Sequence, residues 1–282
     1  MLFKLCKTFP NSPGSFPIAI GTLTVVGLAG LLGGPLARAT ANSVLGLDVY
    51  SGNGVMNWSQ IAATGVKFAF IKATEGVGFK DPQLQNNETN GTAAGMYIGA
   101  YDFAHPEYNT PLAEADYFVN YASRYDAFKG GHLVPALDLE TGGGAHVGAS
   151  SLSAWVNDWC GDIHTLTGAR PAVYSYQSFI SSYLNSSVTG NPLWIADWTY
   201  TTPMVESSPW TGPWNGSWTF WQYSDQGSVN GDPAQYVDLN AYNGSLSSLI
   251  ANEVIPVPEP ATQGLFTIGG MAMVLIGRRR KT

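Results

Sequence analysis

The chain has almost no cysteine. Of its 282 residues only Cys6 and Cys160 carry a thiol, and Cys6 sits in an N-terminal segment that reads as removable. A single remaining cysteine excludes an internal disulfide and any cysteine-based metal site. In "SAWVNDWC", Cys160 reads as a small apolar residue on a helix. Basic residues are scarce too. Seven of the 13 Lys and Arg residues lie in the end segments (Lys4, Lys7, Arg38, Arg278, Arg279, Arg280 and Lys281). Six remain between residues 42 and 256, against 19 of the 20 acids, so that region carries a formal charge near −13. Such a surface excludes nucleic acid and anionic lipid as partners. No tandem repeat of 20 to 50 residues is present, which excludes a solenoid.

Both ends read as processing segments. Lys4 and Lys7 precede an apolar, Gly-rich stretch from Phe16 to Leu36, followed by "ARATA" with Ala37, Ala39 and Ala41. A basic start, an apolar middle and an A-x-A site describe a signal peptide over 1–41, with an uncleaved membrane anchor as the rival reading. The C-terminus, 257–282, carries Val-Pro-Glu-Pro (257–260), an apolar run from Ala261 to Gly277 and a basic end. This 17-residue, largely apolar segment is just long enough to act as a transmembrane span, with the basic cluster on the cytoplasmic side. This layout resembles the PEP-CTERM sorting signal. The resemblance implies a Gram-negative exported protein, transient inner-membrane anchoring by 261–277, and processing by an exosortase. The product would be at the cell surface, in the outer envelope or secreted. A plain C-terminal anchor is the alternative.

The region 42–256 alternates strand and helix patterns, which argues for βα units on a parallel sheet. Eight short apolar runs are strand candidates: 43–50, 67–76, 96–105, 132–140, 171–176, 192–198, 218–225 and 235–242. Helical periods lie between the earlier ones. Residues 111–125 open on Pro111, and 151–168 close on Gly168. After Trp198 the helical period stops. The pattern predicts a single α/β domain: an irregular TIM-like barrel of eight strands and about five helices, incomplete in its second half.

Acids fall at the C-terminal ends of these strands: Asp48, Glu75, Asp102, Asp138 with Glu140, Asp197 and Asp238. β/α barrels build their active sites at that end. In "LVPALDLETGGG" (133–144) Asp138 and Glu140 point the same way, with Cα atoms roughly 6–7 Å apart, while Leu137 and Leu139 point outward. Crowded carboxylates cannot all ionise cheaply, so at least one stays protonated near neutrality. A protonated acid beside anions is the equipment for glycoside cleavage. Aromatic residues crowd the same ends, among them Tyr50, Tyr101, Phe103, Tyr174, Trp194, Trp198, Trp221 and Tyr223. They suit the flat faces of sugar rings. Other readings remain. Strand-end acids can cap helices, which would account for Glu75 and part of Asp102. Clustered carboxylates can bind Mg²⁺ or Ca²⁺, although none of His132, His146 and His164 falls at a strand's C-terminal end. The cluster could also be a binding site without catalysis.

Seven blocks then follow in an order that resembles the glycoside hydrolase family 25 lysozymes: "GLDVY", "KFAFIKATEG", "GAYDFAHP", "LDLE", "WIADW", "FWQYSD" and "VDLN". They cover about Leu45 to Gly244. The resemblance implies a (β/α)5(β)3 barrel and N-acetylmuramidase activity on the β-1,4 bond between N-acetylmuramic acid and N-acetylglucosamine. It maps the catalytic acids onto Asp48, Asp138, Glu140 and Asp238. Glu140 matches the general acid. Asp138 matches the group that orients the substrate's N-acetyl, whose own carbonyl oxygen would attack the anomeric carbon. Tyr101, Asp102, Tyr174, Asp197, Trp198, Trp221 and Tyr223 are the expected substrate contacts. The sequence departs from the family in Tyr101-Asp102-Phe103, where an aromatic-His-Phe stretch is usual. Asp102 is therefore expected to add a carboxylate to the groove. The implied protein needs no cofactor and no metal, acts as a monomer, and takes peptidoglycan or a related amino-sugar glycan. A non-catalytic glycan-binding surface protein and a hydrolase of a secreted exopolysaccharide are the alternatives.

Overall fold

The computed structural model describes residues 43–140, 148–201 and 208–258. The expected signal segment, the apolar run 261–277 and Gly142–Gly144 lie outside them. Among the described residues no helix is long and apolar enough to cross a membrane.

The strands are β1 Ser43–Val49, β2 Phe68–Glu75, β3 Phe79–Lys80, β4 Tyr97–Phe103, β5 Ala136–Asp138, β6 Ala172–Tyr176, β7 Leu193–Ala196, β8 Phe220–Gly227 and β9 Val237–Asn243. Eight of them close a barrel in the order β1-β9-β8-β7-β6-β5-β4-β2, and β1 pairs with β2 to complete the ring. The pairings from β1 through β2, β4, β5, β6, β7 and β8 are parallel. β9 runs antiparallel to both its neighbours. All eight expected strands are present. β5 is shorter than its apolar run, because Leu133 leaves the ladder to bridge Val254. β3 was not expected; it is a two-residue hairpin partner of β2.

Helices α1 Trp58–Ala63, α2 Leu84–Ala93, α3 Pro111–Ala122, α4 Ala149–Thr167 and α5 Gln177–Tyr183 lie in the links between successive parallel strands up to β7, and α6 Leu246–Glu253 follows β9. Thr110 caps α3 through its side chain, with Pro111 in the first turn. Gly168 ends α4 at φ 75°, a left-handed conformation that favours glycine. Apolar residues at helical spacing, such as Ala115 and Phe118 on α3 and Val156 and Trp159 on α4, bury against the strands' outer faces. Phe118 and Trp159 stack with ring centroids 5.9 Å apart.

The strands' outer faces are mostly apolar, with Asp102 of β4 an exception, and the inner faces decide the site. The lower interior is a plug of rings. Phe70 stacks on Trp194 at 4.4 Å, and Phe220 meets Phe68 at 5.3 Å and Phe70 at 5.0 Å. Gly46 makes room for this plug, since a Cβ there would sit 2.2 Å from the Phe68 ring. Leu249 of α6 and Leu133 join the same inner cluster. Both ends of the described domain leave from the barrel's N-terminal face. Ser43 starts β1, and residues after α6 run beside Gly131 and His132, with Gly131 N donating to Ile255 O at 2.8 Å.

Candidate active site

Above the ring plug most strands change from apolar to polar two residues on, and alternation keeps both residues on the inner face. Gly46 leads to Asp48, Phe70 to Lys72, Ala136 to Asp138 and then Glu140, Ala172 to Tyr174, and Phe220 to Gln222. β9 runs the other way, so Asn240 precedes Tyr242 and Asp238 lies above both. Of these, Asp48, Lys72, Asp138, Glu140, Tyr174, Gln222 and Asp238, with Tyr50, Tyr101, Phe103 and Trp194, line a cavity of about 200 Å³ at the strands' C-terminal ends. Glu140 stands at its edge and is partly exposed, while Asp138 is buried.

The acids form two pairs. Asp48 and Asp238 are opposite each other in the β1–β9 register and share a hydrogen bond. Burial raises Asp48 above the usual carboxylate range, against the pull of its donors. Those donors are Gln222 Nε2 at 2.9 Å and Asn240 Nδ2 at 2.7 Å, both to Asp48 Oδ2. Asp238 lacks such donors, so burial and the Asp48 charge push it up to about 9. Asp138 and Glu140 form the second pair, again joined by a hydrogen bond. Burial raises both, and Asp138 rises further because Glu140's charge adds to its burial. The two carboxyls of each pair titrate together, so their protons belong to the pair. Asp138 Oδ1 is buried and has no hydrogen-bond partner. A polar atom left so in a cavity wall fits a ligand donor.

A neutral network holds the geometry. Gln222 Oε1 accepts from Tyr174 Oη and from Trp198 Nε1, each at 2.9 Å. Trp194 Nε1 donates to Asn240 Oδ1 at 2.7 Å. Lys72 brings a cation to the cavity wall and binds Glu75 Oε2 at 2.5 Å.

The structure thus brings together Asp48, Asp138, Glu140, Asp238, Tyr101 and Tyr174, with Trp198 at the mouth. It places four expected substrate contacts elsewhere, and each is a correction with one cause, the parity of its strand. Asp102 lies between Tyr101 and Phe103, which face the cavity, so it faces outward. It accepts from Thr74 Oγ1 at 2.6 Å and bonds Glu114 of α3, adding no carboxylate to the groove. Asp197 turns out to accept the Trp210 backbone N–H at 2.9 Å. Trp221 and Tyr223 flank Gln222 and lie in the outer core, where Trp221 Nε1 donates to Asp197 O at 2.7 Å. Nor do Glu75 and Asp102 cap helices. Gln222, Asn240 and Lys72 are members of the site that the sequence reading passed over, whereas Trp194 was among its aromatic candidates. Strand alternation was the signal that could have found them. Among the described residues no group of His, Cys, Asp and Glu has the geometry to hold a metal ion.

Comparison with known proteins agrees with this geometry. The family model "Glycosyl hydrolases family 25" matches residues 47–232. Lysozyme M1 of Streptomyces globisporus is 34% identical over 248 residues, covering 85% of this chain and 81% of that one. The N,O-diacetylmuramidase of a Chalaropsis species is 34% identical over 219 residues, covering 73% of this chain and 97% of its own. Among solved structures, a bacterial lysozyme from Streptomyces coelicolor superposes with a TM-score of 0.64 at 32% identity. That match covers 74% of this chain and 95% of the other.

Proposed function

The chain belongs to glycosyl hydrolase family 25, and from that premise we propose that it hydrolyses peptidoglycan at the β-1,4 bond between N-acetylmuramic acid and N-acetylglucosamine. The observation that carries the reading is the two proton-sharing carboxyl pairs on β1/β9 and β5, which line one cavity from roughly opposite sides of the barrel.

Glu140 is the general acid. It stands at the cavity edge, within reach of a leaving oxygen, and burial raises its pKa above the usual carboxylate range, which favours the protonated form a general acid needs. Asp138 supplies the unpartnered oxygen, which suits the N–H of the substrate's N-acetyl group. Oriented so, the N-acetyl carbonyl oxygen attacks the anomeric carbon while Glu140 protonates the departing sugar. Water then opens the resulting ring, and Glu140 takes back a proton. The route is one of the exceptions to the two-carboxylate scheme. The Asp48–Asp238 pair carries the negative charge that stabilises an oxocarbenium-like transition state.

The mouth supports a polymeric substrate. A cavity of about 200 Å³ is below the usual range for a drug-sized ligand, so it takes about one sugar ring. The rest of a glycan must lie on the rim. Six of the exposed large side chains are aromatic: Tyr50, Phe79, Tyr108, Trp198, Tyr200 and Tyr236. All six sit at the acid-bearing end of the barrel. Such rings stack on sugar C–H faces, whereas a random surface would scatter them.

Export by the N-terminal signal and exosortase processing of the C-terminal segment complete the reading, with the protein acting as a monomer. Both described ends leave from the face opposite the cavity, so an attached protein would present its mouth away from the attachment. The test is a digest of purified muropeptides and sacculi by the full chain and by Glu140→Gln, read by mass. Products ending in reducing N-acetylmuramic acid from the wild type, and none from the variant, are expected. Equal products from both would overturn Glu140's role, and no products from the wild type would overturn the substrate.

A further inference from the structure

Lys72 is the one cation among the residues that line the cavity, and four carboxyls line it too. Its ammonium is fixed from several sides. Glu75 Oε2 holds it at 2.5 Å. The Phe103 ring centroid lies 4.7 Å from Nζ and the Phe79 centroid 5.6 Å. Glu75 is itself held, because its second oxygen, Oε1, meets His105 Nε2 at 3.3 Å. His105 Nδ1 meets Glu107 Oε1 at 3.1 Å, and the His105 backbone N–H donates to Glu114 Oε1 at 2.9 Å. The loop after β4 therefore braces Glu75, and Glu75 braces Lys72.

We propose that Lys72 is a positioning residue for the reaction, setting the proton affinity of the Asp138–Glu140 pair, and that Glu75 limits the charge it delivers. The inference rests on the reading of that pair as the reacting group. The charged groups around Lys72 are Glu75 on its own strand, with His105 behind it, and the cavity acids Asp138 at the end of β5, Glu140 just beyond it, Asp48 on β1 and Asp238 on β9. The field of Lys72 reaches Asp138 and Glu140 within the cavity, and Asp102 on the outer side of β4. Without a cation there, the crowded carboxyls would hold their protons too tightly to give one up. With an uncompensated cation, they would lose the proton at too low a pH. The Glu75 tether places the balance between those limits.

Opposite shifts follow from the two halves of the device. Lys72→Met removes the cation, so the pair's titration moves up, by about one pH unit or more. Glu75→Gln frees the cation from its counter-ion, so the titration moves down. Lys72→Arg keeps the charge and stays near wild type. A defect of folding would not move the two variants in opposite directions. The experiment is a ¹³C NMR titration of side-chain carboxyls in the full chain, with Asp138→Asn and Glu140→Gln spectra to assign the pair. It needs no substrate, so it decides the inference even if the proposed cleavage fails. The alkaline limb of the pH–rate profile is expected to move with the NMR values. Unshifted titrations, or shifts of the same sign, would overturn the proposal. Should Lys72→Met not fold, Glu75→Gln decides alone, and an unchanged or raised titration there overturns it.

Discussion

Gln222 connects the two halves of the mouth: its Nε2 donates to Asp48 Oδ2 at 2.9 Å while its Oε1 accepts from Tyr174 and Trp198. The side chain is buried, and its amide meets partners on β1, on β6 and just beyond β7. Gln222→Leu keeps the volume but strands three partners. Leaving a buried polar group unsatisfied costs about 1–3 kcal/mol. Asp48 also loses one of the three hydrogen bonds that oppose its burial, so its pKa rises further. A drop in denaturation midpoint, together with a reduced kcat, is the expected outcome. Gln222→Glu, which adds charge beside Asp48, should be worse than Leu in activity at pH 7. Equal kcat for wild type and both variants would show that the Asp48 bond has no part in the reaction.

Asp138 is the cavity acid whose buried Oδ1 has no partner. Asp138→Asn keeps its shape and removes its charge and its proton-sharing with Glu140. If Asp138 orients the N-acetyl group, the loss falls on kcat, with the drop on the order of 10²-fold or more expected for a positioned catalytic group. The measurement is kcat and KM on a soluble glycan, with circular dichroism to confirm the fold. A change confined to KM would make Asp138 a contact for ground-state binding only.

The sequence made the barrel legible because every strand is an apolar run between loop signals, and all eight runs became strands. The site was legible in part. Acids announce themselves by type, which picked out seven at the strand ends; the family resemblance narrowed them to Asp48, Asp138, Glu140 and Asp238, the four that line the cavity. Parity was the harder variable. In "FWQYSD" the large aromatics Trp221 and Tyr223 drew the functional reading, yet they pack outward and the amide between them faces the cavity. Asp102 and Asp197 sit one residue out of phase in the same way. Gln222 and Asn240 do not titrate, so a search for charge could not see them. The β3 hairpin is two residues long, too short for any periodicity to register.

Asp238 carries a testable cost. Its pKa is pushed up to about 9 in the folded chain, above the ordinary aspartate value of about 3.9 in an unfolded one. Between those values the folded state binds more protons than the unfolded state, so Asp238's contribution to stability falls as pH rises. Asn at this position cannot ionise. Asp238→Asn should therefore match wild-type thermal stability near pH 4 and exceed it increasingly toward pH 9, while losing activity. Tm measured at unit pH steps checks this. A constant Tm difference across that range would mean that Asp238 is not protonated in the fold.

At the barrel's opposite face a second ion pair has no contact with the cavity, and its pH signature has its own window. His132 Nε2 meets Glu88 Oε1 at 2.7 Å, joining α2 to the segment that leads into β5. His132 Nδ1 lies 2.9 Å from the Lys129 carbonyl oxygen. Glu88's hydrogen bond raises the His132 pKa above its usual 6.5, outweighing burial. A histidine raised on folding contributes stability that is fully present below the unfolded pKa and lost as pH rises through the folded one. His132→Gln should thus be most destabilising at pH 5 and progressively less so toward pH 9. The two sites then predict different partners for their pH effects. The Asp238 variant gains most in base, whereas the His132 variant loses most in acid, and the His132 change should leave the pH–rate profile of the enzyme in place. Urea denaturation at pH 5, 7 and 9 separates them. A destabilisation of His132→Gln that is independent of pH would show that the pair acts through packing and not through charge.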